Sequence, residues 1–116
     1  AITGSYFVCT VDGNDSQLDS FKAMYEEAYH EPCDGAGQNA YFAYDAFAVI
    51  KQAVESAGST APKDIRDALE TVENAQGLTT PITIRKDHKV IRSAIIFRVG
   101  AEKFEAIDTY MVDYGD

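Results

Sequence analysis

NAYFAYDAFAVIKQAVESAG, from Asn39 to Gly58, is the longest uninterrupted helical pattern in this chain. Ala43, Phe47, Ile50, Val54 and Ala57 recur at spacings of four, three, four and three. That spacing draws one apolar stripe along a 3.6-residue helix. Asp45, Lys51, Gln52 and Glu55 fall elsewhere on the wheel. Gly58 supplies the stop, because glycine enters the left-handed conformation at a helix end without a Cβ penalty. Such a helix needs another layer to cover its stripe.

Upstream, Leu18, Phe21, Tyr25 and Ala28 predict a second helix from about residue 17 to 30. Pro32 stops it, since proline cannot donate the helical hydrogen bond. Asn14, Asp15 and Ser16 are each suited to cap its start. Before them, Gly4 to Val11 is rich in aromatic and β-branched residues. Phe7, Val8 and Cys9 are apolar in succession, so both faces want cover, which predicts a buried strand of a mainly parallel sheet. The loop Cys33 to Gln38 is made permissive by two glycines.

Downstream, Pro62 marks the first turn of a third helix, with Ile65, Leu69 and Val72 as its stripe. Thr60 is the better capping residue, but proline at the first helical position places Ala61 at the cap. Asn74 to Gly77 ends this helix. The period then changes. Ile82 to Ile84, a polar turn from Arg85 to Lys89, and Val90-Ile91 read as a hairpin. Ser93 to Val99 is an apolar strand, and Phe104 to Ile107 returns after the turn Gly100 to Lys103. The tail from Asp108 is polar with interspersed tyrosines.

The chain has 116 residues, 46% hydrophobic and 25% charged, with a net charge of −9. That composition suits one modest domain with a packed core. Residues 1–60 carry nine acids and two bases, against ten and eight in residues 61–116. This balance argues against nucleic acid, which needs a basic face to displace counterions, and against anionic lipid. No run approaches the roughly 20 apolar residues of a membrane span. No signal peptide opens the chain, which begins at Ala1 rather than Met, so its absence says little about where the parent protein resides. Cys9 and Cys33 are too few for a disulfide scaffold. A single bond between them stays open as an alternative to two free thiols.

No catalytic constellation is present. His30 and His88 have no spaced ligand partners, so no metal site is expected. Glu26 and Glu27 are neighbours on a helix and point apart. No phosphate-cradling glycine loop or nucleophile elbow occurs. The reading is a protein without enzymatic activity and without a cofactor.

The ordered set GSYFVCT, FKAMYEEAY, AYFAYDAFAVIKQAVESAGS, IRDAL and ITIRKDHKV resembles the C-terminal third of type I periplasmic binding proteins. The closest group is the leucine/isoleucine/valine-binding subfamily of ABC-transporter receptors. Ala43-Tyr44-Asp45-Ala46 is the strongest single element. Two positions depart from the pattern: Thr80-Pro81 precedes the late hairpin, and His88 sits in its turn, where the family usually carries glycines.

The resemblance implies an α/β fold that is incomplete on its own: one strand, three helices and antiparallel hairpins from a two-lobed receptor. Residues 1–11 would be a strand of the second lobe and 12–16 a hinge crossing. Residues 17–91 would complete the first lobe, and 92–116 return to the second. The implied activity is capture of a small polar ligand, a branched-chain or related amino acid, for an ABC permease, in the periplasm or outside the cell. The loop leading into the long helix faces the ligand in this family, which points to Asn39 with Gln38 and Tyr41. Asparagine both donates and accepts hydrogen bonds, although Asn39 equally suits a plain helix cap. Thr10 and Asp12 in the crossing are further candidates. The remaining partner would be the upstream part of the same protein or a swapped copy. Competing readings are a ligand-sensing receptor domain of the same fold and a free-standing interaction module.

Overall fold

Residues 2–33 and 38–111 are described by the computed structural model. In chain order they form β1 (Tyr6–Cys9), a short 3-10 turn (Ser16–Leu18), α1 (Asp19–Tyr29), α2 (Gln38–Ala57) and α3 (Pro62–Leu69). Then follow β2 (Ala75–Gln76), β3 (Pro81–Ile84), β4 (Val90–Ile91), β5 (Ser93–Val99) and β6 (Phe104–Met111). Residues 34–37 of the glycine-containing loop and residues 112–116 of the tail lie outside the described residues.

The strands make two three-stranded sheets, ordered β1-β5-β6 and β2-β3-β4, and every described pair is antiparallel. The parallel-strand expectation for β1 is therefore corrected. It pairs antiparallel with β5, Phe7 opposite Phe97 and Cys9 opposite Ile95. Tyr6 and Val8 on its outer face are exposed. Consecutive apolar residues report that a strand wants cover on both faces, but not which strand lies beside it. The hairpin of β3 and β4 forms as the pattern predicts, with Ile84 opposite Val90. β6 runs past Ile107 to Met111, drawing part of the polar tail into the sheet. A bulge at Ile96/Phe97 shifts the register, so that Ile96 faces Asp108 while Phe97 faces Ala106. Arg98 bonds its cross-strand neighbour Glu105 at 2.6 Å, and this guanidinium holds the Glu105 carboxyl below its ordinary range.

Asp15 caps the 3-10 turn, accepting from the Gln17 N–H at 2.9 Å. His30 ends α1 in the left-handed conformation, φ 57°. Ala61 occupies the cap of α3 with Pro62 behind it. Ser59 supplies the missing capping group: its Oγ accepts from the Ala61 N–H at 3.1 Å and donates to Asp64 Oδ2 at 2.6 Å. α3 stops at Leu69, so Val72 is buried from the following turn and not from the helix. The two-residue β2 was not expected, being too short to show a period.

Two apolar clusters result. Val11, Leu18, Phe21, Cys33 and Tyr41 pack where the chain leaves β1 and enters α1 and α2. Val49, Ala53, Val72, Ala75 and Ile82 pack between α2, α3 and β2–β3. Cys9 and Cys33 are both buried free thiols. α2 turns Tyr41, Asp45, Val49 and Ala53 inward, a row at steps of four. The stripe drawn from its sequence lies on another face, with Phe47 65% and Ile50 50% exposed. The helix thus has two apolar faces, one of them uncovered. The dimensions agree: the radius of gyration is 16.4 Å, against about 13 Å for a compact domain of roughly this length.

Two turns yield predictions. A Cβ on Gly77 would lie 2.6 Å from the Thr80 carbonyl oxygen and 3.0 Å from Asp45 Oδ1. Gly77→Ala is expected to lose about 1–3 kcal/mol of stability, read from urea denaturation; an unchanged midpoint would show that this turn yields freely. His88 sits at φ 65°, in a turn closed by its own N–H donating to the Arg85 carbonyl at 2.8 Å. Glycine removes the left-handed Cβ penalty there, so His88→Gly should gain up to about 1 kcal/mol. The exposed contact of His88 Nε2 with Glu70 at 3.1 Å adds little against it. A lowered denaturation midpoint would reverse this reading.

Candidate functional site

The chain leaves β1 at Cys9 and reaches the 3-10 turn at Ser16 through a tightly bonded segment. Asp12 Oδ1 accepts from the Asn14 N–H at 2.9 Å, and the Asp12 carbonyl accepts from the Asp15 N–H at 3.0 Å. An aspartate side chain that bonds the backbone two residues on stabilises such a turn. Lys22 of α1 reaches back to donate to the Gly13 carbonyl at 2.6 Å. Across this segment, the Cys9 thiol donates to Gln38 Oε1 at 3.0 Å, joining the end of β1 to the start of α2.

A groove of about 360 Å³ lies here. Asp12, Asn14 and Lys22 line it from the crossing and α1, Gln38 and Tyr41 from α2, and Phe7, Phe97 and Phe104 from the sheet. The Phe7 and Phe97 rings stack at 5.0 Å, and Phe104 meets Phe7 edge-on at 5.1 Å. Aromatic walls with a few convergent polar groups are the usual make-up of a small-molecule site. One cation and one anion within the same groove suit a ligand carrying both charges, or a carboxylate held by Lys22.

The predicted site residues divide. Asp12, Gln38 and Tyr41 line the groove. Tyr41 is also a core residue, 4% exposed, with the Phe21 ring edge-on at 5.6 Å. Thr10 is half-buried in the crossing, and Asn39 is exposed in the first turn of α2; neither lines the groove. Because α2 already includes Gln38, Asn39 stands inside the helix and not at its cap. Sequence reasoning missed Lys22, whose place on the polar side of α1 marks only a solvated base, and missed Phe97 and Phe104, which the β1–β5–β6 pairing brings in from far along the chain.

A second polar centre was also missed. Asp45, read from the wheel as a polar-face residue, is 2% exposed. It accepts from the Leu78 N–H at 2.8 Å and from Arg92 Nη2 at 2.8 Å. Arg92 lies over the Phe42 ring, 5.5 Å from its centroid. The aspartate of the AYDA element is held in this buried bridge. Among the described residues no cluster of three or more His, Cys, Asp or Glu side chains converges as for a metal. No helix among them is long and apolar enough to cross a membrane.

Comparison with solved structures places the fold. The leucine-binding protein LivK of Thermotoga maritima superposes with a TM-score of 0.70 at 21% identity, covering 93% of this chain and 31% of its own. LivJ of Streptococcus pneumoniae, solved with isoleucine, gives 0.69 at 21% identity over 92% of this chain and 30% of its own. A solute-binding protein of an ABC transporter from R. palustris, solved with benzoate, gives 0.68 at 17% identity over 96% and 31%. This chain therefore spans about 31% of the length of the structures it matches. Comparison with the curated proteins returns no match. The family model described as periplasmic binding protein matches residues 2–103, nearly the whole chain, and the protein belongs to that family.

Proposed function

We propose that this chain forms one wall of the ligand cleft of an extracytoplasmic solute-binding protein, which captures a small charged molecule and delivers it to an ABC permease. On this reading residues 1–11 and 92–116 belong to one lobe, 17–91 to the other, and 12–16 cross between them. The observation that carries it is the groove at that crossing, where Asp12, Lys22 and Gln38 converge beside aromatic walls. Family relatives solved with isoleucine and with benzoate supply the ligand class: a compact apolar body bearing a carboxylate. The mechanism involves no bond-making. Ligand contacts to both lobes are complete only when they approach, so binding shifts the receptor toward its closed form. Asn39 and Thr10 do not line the groove and would reach the ligand only if closure of the lobes moves them toward it.

The test is calorimetric titration of L-leucine, L-isoleucine and benzoate into the longest natural chain that carries these residues. One of the three should bind at micromolar dissociation constant or tighter. Asp12→Asn, which keeps an acceptor for the Asn14 N–H, and Gln38→Ala should each weaken it by about tenfold, roughly 1.4 kcal/mol, read well below the thermal midpoint of each variant. Variants that bind as tightly as the parent would remove this groove from the site.

A further inference from the structure

The β1-β5-β6 sheet has two edges, and they are built differently. β6 carries Glu105 and Asp108 and is bent by the bulge opposite Ile96/Phe97. Charges and bulges are the usual means by which an edge strand avoids pairing with another chain. β1 has neither. No charged side chain occurs between Ala1 and Val11, and the pairing with β5 is regular from Tyr6 to Cys9.

The ladder decides which backbone groups β1 leaves open. The Val99 N–H donates to the Ser5 carbonyl at 2.8 Å. Bonded and non-bonded pairs alternate along an antiparallel ladder, so in this register Phe7/Phe97 and Cys9/Ile95 are bonded pairs. The N–H and C=O of Tyr6 and of Val8 therefore turn away from β5, toward the open edge. No strand among the described residues pairs there. Both side chains stand clear of neighbours, at 63% and 64% exposure.

We infer that this edge docks a second copy of the chain, β1 antiparallel to β1 about a two-fold axis through Phe7. The spacing is self-complementary, as an isologous contact needs. With Phe7 opposite Phe7 of the second copy, Tyr6 falls opposite Val8 and Val8 opposite Tyr6. These are the residues whose backbone groups are open, so each pair exchanges both of its hydrogen bonds. An aromatic side chain then meets a β-branched one, a favourable cross-strand combination. On the other face, the Phe7–Phe97 stack, 5.0 Å between centroids, runs on into the same stack of the second copy. Charge sets the direction. Each copy carries a net charge of −9, so a lasting contact must keep acids apart. Parallel strands would lead both chains to Asp12 at the same end, whereas antiparallel strands put the two at opposite ends. The pairing stands on the sheet alone and needs no part of the receptor reading.

The experiment reads amide hydrogen exchange by NMR on the 116-residue chain, dilute and concentrated, with sedimentation equilibrium on the same samples. On concentration the Tyr6 and Val8 amides should slow by about tenfold, and Phe7 and Cys9, already bonded to β5, should change less. Val8→Pro removes an outward N–H without touching the ladder to β5, the one place where an edge strand tolerates proline. It should weaken dimerisation by about tenfold or more. Should it fail to fold, Val8→Lys carries the decision. Two ammonium groups then meet diagonally on one face, about 7–8 Å apart, and dimerisation should fall by a similar factor. Dimers that persist in the folded variant, or that form while Tyr6 and Val8 still exchange freely, would move the contact to another face, such as that of Phe47 and Ile50, and overturn the pairing. Protection that does not depend on concentration would assign the edge to the same molecule and overturn it too. So would a monomer at every concentration.

Discussion

Replacing Asp45 by alanine should destabilise the protein by about 3–5 kcal/mol, the cost of leaving one member of a buried ion pair alone. Two groups lose their acceptor together: the Leu78 N–H and the Arg92 guanidinium, each 2.8 Å from a carboxylate oxygen. Asp45→Asn should cost clearly less, because its amide oxygen still accepts from Leu78. Chemical denaturation of the two variants side by side checks both the size and the order. Equal losses would mean that the charge on Asp45 contributes nothing, and that the bridge to Arg92 is incidental.

Leu18→Ala should follow closely. Leu18 is fully buried, at 0% exposure, and packs with Val11, Phe21, Cys33 and Tyr41. Truncating a buried leucine to alanine removes its transfer free energy and leaves a cavity, about 2–5 kcal/mol in sum. This cluster sits directly behind the groove at the first crossing, so the same variant should loosen Asp12 and Tyr41. Hydrogen exchange at residues 10–18 reads that effect. Unchanged protection there, with stability lost elsewhere, would separate the cluster from the groove.

Much of this fold can be read from the chain, for identifiable reasons. The three helices carry repeating apolar spacings, and the hairpin of β3 and β4 is flanked by polar turn residues that need no tertiary context. The one-sided wheel of α2 misled. Its stripe through Phe47 and Ile50 is real, but the described residues leave it uncovered. The face they do bury runs through Tyr41, Asp45, Val49 and Ala53, where an aspartate and two small or aromatic residues hide the apolar signal. A buried aspartate looks polar until its partner is known, and Arg92 lies 47 residues away.

The groove was legible on one side only. Asp12, Gln38 and Tyr41 stand beside loops that the pattern marks. Phe97 arrives through antiparallel pairing of β5 with β1, and Phe104 through pairing of β6 with β5, and strand order is set by long-range contacts that local periodicity does not encode. The same limit explains why β1 was expected in a parallel sheet. Its Tyr6 and Val8, like Phe47 and Ile50 of α2, are exposed apolar side chains on regular elements. Faces of this kind mark surfaces that associate, and they fit a chain spanning 31% of the structures it matches.

The uncovered faces of β1 and α2 belong against further structure, as expected of a chain that spans 31% of the fold it matches. Sedimentation velocity of the purified 116-residue polypeptide tests it most directly. Association into larger species is expected, driven by the uncovered faces of β1 and α2. A stable, dispersed monomer of 12.7 kDa would contradict it.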